Sequence, residues 1–122
     1  MQKNTVDNDL HMLRDEIGSF VAERDWKKFN TPKNLASALC VEAAELLEPF
    51  QWLQTGAPEE LGADKLMQVR REIADVQVYL ISLAASLEID IKDAVLEKIE
   101  INRVKYPVEK VRGSARKYTE YE

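Results

Sequence analysis

PKNLASALCVEAAELLEPFQW, residues 32–52, is the segment around which the rest of the chain is organised. At helical spacing Leu35, Leu39, Leu46, Phe50 and Leu53 form one apolar stripe. Thr31 reads as the N-cap and Pro32 as the first helical residue. Gly56 and Pro58 put the end of this helix near Gln54. The position that should continue the stripe between Leu39 and Leu46 is Glu42, with Glu45 one turn further along. An acid on the buried side of a helix is costly unless positive charge offsets its desolvation. Amphipathicity alone leaves two readings of Glu42 open, a metal site and a satisfied internal salt bridge.

Helical periods continue on both sides of this segment. Val6, Leu10, Leu13, Ile17, Phe20 and Val21 step by three and four, which predicts a first helix ending near Arg24. A short link, DWKKFN, carries Trp26. Downstream, Leu66, Val69, Ile73, Val76, Leu80, Leu83 and Leu87 alternate steps of three and four, a heptad-like seam suited to neighbouring helices. Asp90 reads as the cap of a fourth helix, with Asp93 in its first turn and Pro107 closing it. No period is evident after Pro107, and no strand alternation or repeat occurs anywhere. The pattern predicts an all-α protein, a four-helix bundle with a basic irregular C-terminal tail, in one domain over residues 1–122 with frayed ends at 1–5 and 119–122. The seam is long for so small a chain, so part of it is expected to face another subunit.

Composition narrows the function classes. A net charge of −5 without an extended basic block argues against a duplex nucleic-acid surface and leaves room for a small anionic ligand. Cys40 is the only cysteine, which excludes an intrachain disulfide and suits a reducing cytoplasm. The polar N-terminus does not read as a signal peptide, and no apolar run approaches a membrane span.

The acids carry the chemistry. Glu42 and Glu45 are three apart, as are Glu72 and Asp75, so each pair shares one helix face. Two such pairs on neighbouring helices would gather four carboxylates, an oxygen-only set suited to a hard cation such as Mg²⁺. Tyr79 returns to the flank of Glu72. A diiron carboxylate site fails on ligand count, because His11 is the only histidine and lies in no Glu-x-x-His motif. The four glycines are scattered, which excludes a P-loop or Rossmann phosphate cradle, and one histidine gives no credible Ser/His/Asp triad. Glu48, Glu59, Glu60 and Glu88 read as solvated surface. On the fourth helix the line of Ile91 and Val95 is continued by Lys98 and Asn102, a cation and an amide that either snorkel to solvent or face a phosphate. Trp26 and Trp52 fall at helix ends, where each either caps the core or stacks on a base.

Glu42-x-x-Glu45 followed, after residues 46–71, by Glu72-x-x-Asp75 resembles the metal signature of the all-α nucleoside triphosphate pyrophosphatases, the MazG-like superfamily. ERDW at 23–26, Pro32 to Leu35, FQW at 50–52, NR..YP at 102–107 and GSARKYT at 113–119 are similar to its dCTP pyrophosphatase branch. The resemblance implies that Glu42, Glu45, Glu72 and Asp75 bind Mg²⁺. It further implies that Trp26 and Trp52 line a base pocket, with Tyr79 near the sugar or base, and that Lys98, Asn102, Arg116 and Lys117 meet the triphosphate.

The implied activity is hydrolysis of dCTP or a modified dCTP to the monophosphate and pyrophosphate by a homo-oligomer, a dimer or tetramer. Two positions depart from the pattern. Val41 stands where many MazG-type members have a further glutamate, so no general base is assigned, and Ile17 stands where some dCTP-cleaving relatives have histidine. The alternatives are a pyrophosphatase of broad or different base preference and a non-catalytic helical interaction protein with salt-bridged acids.

Overall fold

The structure is a computed structural model that describes residues 9–115 and residue 119. Its helices are α1 (Asp9–Glu23), α2 (Pro32–Leu47), α3 (Pro58–Ser86), α4 (Ile91–Lys105) and a single turn, α5 (Val108–Val111). Lys27–Phe29 and Glu48–Phe50 form 3-10 turns. Among the described residues there is no strand, and no helix is long and apolar enough to cross a membrane. The all-α expectation holds.

The chain forms two compact units, Met1–Ile89 and Asp90–Glu122. In the first, α3 packs against both α2 and α1. Its buried apolar residues are Leu35 from α2 and Leu61, Val69, Ile81 and Ala84 from α3. The α3 seam divides by heptad position. Val69 is buried and Val76 and Leu83 are half-buried, whereas Leu66, Ile73, Leu80 and Leu87 are 47%, 52%, 37% and 50% exposed. One line of the seam therefore packs on the neighbouring helices, and the other is left open to solvent.

Helix ends follow local chemistry. The Thr31 hydroxyl accepts from the Asn34 N–H at 3.2 Å and Pro32 occupies the first turn of α2, as the sequence predicts. The far end differs, because α2 stops at Leu47 rather than near Gln54. Pro49 has no N–H to donate, and the chain tightens into the 3-10 turn in which Pro49 is buried. Periodicity ran on because Phe50 and Leu53 keep the apolar spacing beyond the helix.

Within α3 the backbone at Gly62 leaves the helix with a positive φ that favours glycine, φ 81° and ψ 169°, so Pro58–Leu61 is a separate first turn ahead of the long helix. At the other end Glu88 takes φ 56° while the Ile89 N–H reaches the Ala84 carbonyl at 2.8 Å and the Glu88 N–H reaches that of Ala85 at 3.1 Å. This is a Schellman closure with glutamate at the position glycine usually fills.

In the second unit Asp90 Oδ1 accepts from the Asp93 N–H at 2.9 Å, the predicted cap of α4. The segment after Pro107 contains α5, which the sequence reading left irregular, since a single turn is too short to carry a period.

Candidate metal and nucleotide site

α2 and α3 run antiparallel, and their acids meet in register. Glu42 and Asp75 stand within hydrogen-bonding reach of each other, and so do Glu45 and Glu72. Carboxylate oxygens of Glu42, Glu45 and Glu72 all lie within 4.8 Å of one another, with Asp75 beside Glu42 at the edge of this trio. All three members of the trio are half-buried. The i, i+3 spacing on each helix and the antiparallel packing bring the two pairs together, which joins the four acids singled out from the sequence.

This arrangement is electrostatically unbalanced. Partial burial, followed by the charges of Glu45, Asp75 and Glu72, raises the Glu42 carboxyl above its ordinary value. Burial and the charges of Glu45, Asp75 and Glu48 do the same to Glu72. Glu48, read from the sequence as solvated surface, thus adds to the field of the cluster. Its spacing of one turn from Glu45 is the signal that identifies it.

Glu72 Oε2 is buried and has no hydrogen-bond donor. The groups around it are carboxylates, which when ionised have no proton to give. Within residues 9–89 no lysine, arginine or histidine is ion-paired to Glu42, Glu45, Glu72 or Asp75. The internal salt bridge that amphipathicity left open does not form there. An oxygen-only donor set with an orphaned buried oxygen fits a hard divalent cation.

A cleft of about 540 Å³ opens between α1 and the C-terminal part of α3, lined by Ile17, Val21, Asn30, Ile81 and Ser82 among others, and α2 reaches it through Leu35. Leu35 and Ser82 both lie seven residues from the Glu42–Asp75 pair, about 10 Å of helix toward the start of α2. In this register half-buried Tyr79 stands opposite Ala38, between the carboxylates and the cleft.

Trp26 lies between Asp25 and Lys27, two cleft-lining residues, and packs edge-on against Phe20 with ring centroids 5.9 Å apart. Trp52 follows the other end of α2 and is 89% exposed. The two tryptophans implied for one base pocket thus flank a helix of 16 residues, about 24 Å long.

Residues 38–121 match the MazG-like family. The chain belongs to the MazG-like family. It is 46% identical over 113 residues to dCTP pyrophosphatase 1 of Homo sapiens, a match covering 91% of this chain and 66% of that protein. It is 44% identical over 118 residues to dCTP pyrophosphatase 1 of Mus musculus, with the same coverage. The chain thus spans slightly less than two thirds of the length of these mammalian relatives. Among solved structures, a pyrophosphatase from Archaeoglobus fulgidus superposes with a TM-score of 0.72 at 40% identity, covering 88% of this chain and 96% of that one.

In this MazG-like chain the remaining expected substrate contacts lie apart from the acids in sequence. Lys98 and Asn102 are on α4 in the second unit, Lys98 exposed and Asn102 half-buried. Arg116 and Lys117 lie outside the described residues. A further residue missed from sequence is Glu60, which is solvent-exposed but fully engaged. Its carboxylate accepts from the N–H groups of Gln54 (2.7 Å), Thr55 (3.0 Å) and Gly56 (2.9 Å) and from the Thr55 hydroxyl (3.0 Å). Those bonds hold its carboxyl down at about 2. The TGAPEE run carried the signal, a carboxylate shortly after a turn with free N–H groups.

Proposed function

We propose that this protein hydrolyses dCTP, or a dCTP carrying a modified cytosine, to the nucleoside monophosphate and pyrophosphate. One observation carries this reading: two carboxylate pairs meet on antiparallel helices, Glu72 Oε2 is buried there without a donor, and no lysine, arginine or histidine of residues 9–89 is ion-paired to the four acids. Glu42, Glu45, Glu72 and Asp75 would hold Mg²⁺. When bound, that ion neutralises charge on the phosphate oxygens and helps activate water at the scissile linkage.

The chain's own residues account for the rest of the substrate. Ile17, Val21 and Leu35 offer apolar walls to a base, with Asn30 and Ser82 as polar partners. Tyr79 stands between that cleft and the carboxylates, where the sugar would lie. Lys98, Asn102, Arg116 and Lys117 are assigned to the triphosphate through the resemblance, and Trp26 and Trp52 to the base. The cytosine preference rests on the mammalian relatives named dCTP pyrophosphatase 1.

The working form would be a cytoplasmic homo-oligomer, a dimer or tetramer, with residues 1–122 acting as one domain. Two features support a second copy. Leu66, Ile73, Leu80 and Leu87 make an uncovered heptad line on α3, the kind of face a further helix buries. Trp52 is nearly bare in its own protomer and so is available to a neighbour's substrate.

A nucleotide panel assayed for pyrophosphate release tests the reading. Cleavage of dCTP or 5-substituted dCTP above the other deoxynucleotides supports it. Equal cleavage of all bases favours the broad-specificity alternative, and no cleavage of any nucleotide in Mg²⁺ removes the enzyme reading.

A further inference from the structure

We propose that Glu60 is a positioning residue for Trp52, holding the loop that presents this tryptophan to the nucleobase. The inference rests on the assignment of Trp52 as a base contact above. A side chain 89% exposed gains no fixed place from packing on its own protomer, so the backbone must aim it. That backbone is held from both sides. On the N-terminal side Pro49 is buried in the 3-10 turn, and the Leu53 N–H returns to the Phe50 carbonyl at 2.9 Å. On the C-terminal side the Glu60 carboxylate gathers three consecutive N–H groups and a hydroxyl, at 2.7 to 3.0 Å.

Gly56 closes the loop. It takes φ +77°, and a Cβ there would stand 2.6 Å from Phe50 Cδ1, so the chain passes directly over the ring two residues before Trp52. Glu60 itself sits on the isolated turn Pro58–Leu61, which Gly62 separates from the long part of α3. The turn thus acts as a hook that reaches back to the loop, while the carboxylates on α3 lie further along the helix.

The chemistry of the hook requires a carboxylate. Oε2 accepts from Gln54 and Oε1 from the other three donors. Glutamine must turn an NH₂ toward one of these sets, so it retains part of the network, and alanine retains none. A loosened loop must be ordered again each time substrate binds, which weakens binding and leaves the reacting end untouched.

The test is a double-mutant cycle on dCTP hydrolysis in Mg²⁺, with KM and kcat determined for wild type, Trp52→Ala, Glu60→Ala, Glu60→Gln and the Trp52→Ala/Glu60→Ala pair. Trp52→Ala is expected to raise KM about 5- to 150-fold, the range of base–aromatic stacking. Glu60→Ala should raise KM toward that value with kcat within about twofold, Glu60→Gln should fall between, and Glu60→Ala should add nothing once Trp52 is gone.

An equal KM increase from Glu60→Ala in both backgrounds overturns the proposal, because Glu60 then acts by another route. An unchanged KM in Glu60→Ala beside a raised KM in Trp52→Ala also overturns it, while leaving Trp52 as a base contact. An unchanged KM in Trp52→Ala removes the base-contact assignment, and the proposal with it. Should Glu60→Ala lose its helical circular dichroism, Thr55→Val keeps the three N–H contacts to Glu60 and removes the hydroxyl, which also accepts from the Ala57 N–H at 3.2 Å. A KM rise from Thr55→Val that disappears in the Trp52→Ala background supports the proposal, and one that persists overturns it.

Discussion

Glu45 on α2 and Glu72 on α3 face each other within hydrogen-bonding reach, and no cation of residues 9–89 is paired to either. Two like charges held this way oppose the packing of the helices that carry them. A bound divalent cation reverses the sign of that interaction. Mg²⁺ is therefore expected to raise the melting temperature and a chelator to lower it. A ligand present at a hundredfold excess over Kd adds about 2.7 kcal/mol to stability. In Glu72→Gln the metal-free protein should melt higher than wild type, and the response to Mg²⁺ should shrink. Thermal melts with Mg²⁺ and with EDTA check both expectations.

Glu60 gives a pH dependence of definite sign. Its folded carboxyl lies at about 2 against an ordinary value of 4.5. A lowered acid contributes stability that is fully present above the ordinary value and is lost as pH falls toward the folded one. The melting-temperature gap between wild type and Glu60→Ala should thus be widest above about pH 5, narrow below 4.5 and close near 2. A gap that stays constant from pH 7 to pH 2.5 would contradict the ion-dependent hook.

The turn after α3 predicts a stabilising change. Glu88 holds φ 56°, a left-handed conformation that costs an L-residue roughly 1–2 kcal/mol. Glycine removes that cost and loses roughly 0.5–1 kcal/mol to its own chain entropy. Glu88→Gly should therefore stabilise the protein by about 0.5–1 kcal/mol, read as a rise in midpoint in urea unfolding at unchanged slope.

The uncovered heptad line on α3 predicts the response of the assembly. Leu80→Glu puts a charge in the middle of Leu66, Ile73, Leu80 and Leu87, away from the carboxylate pairs. Light scattering after size exclusion should report a dimer or tetramer for wild type and a shift to the 14.0 kDa protomer for the variant. An unchanged mass would place the interface elsewhere.

Much of this was legible from residue spacing. Glu42 stood out because its neighbours at helical intervals are apolar, and the i, i+3 pairs needed only antiparallel packing to converge. Thr31 and Asp90 announced their caps because capping is a property of adjacent residues. The end of α2 was misread because Phe50 and Leu53 keep the helical interval after Pro49 has broken the backbone. Glu60 was missed for a related reason: its partners are backbone N–H groups, which carry no letter in a sequence. The heptad seam was visible as one band, but its division into a packed and an open line depends on where α1 and α2 sit. The metal and the substrate came from resemblance, since four carboxylates alone do not name what they bind.

In the proposed function the facing acid pairs hold Mg²⁺ for the hydrolysis of dCTP. The most direct test is pyrophosphate release from dCTP by wild type, Glu42→Ala and Asp75→Ala, with Mg²⁺ and with EDTA. The expected result is Mg²⁺-dependent release of pyrophosphate and dCMP by wild type, with kcat/KM lowered at least about a hundredfold in each variant, the loss typical of removing a key transition-state contact. Hydrolysis by either variant at the wild-type rate, or no hydrolysis by wild type in Mg²⁺, would contradict it.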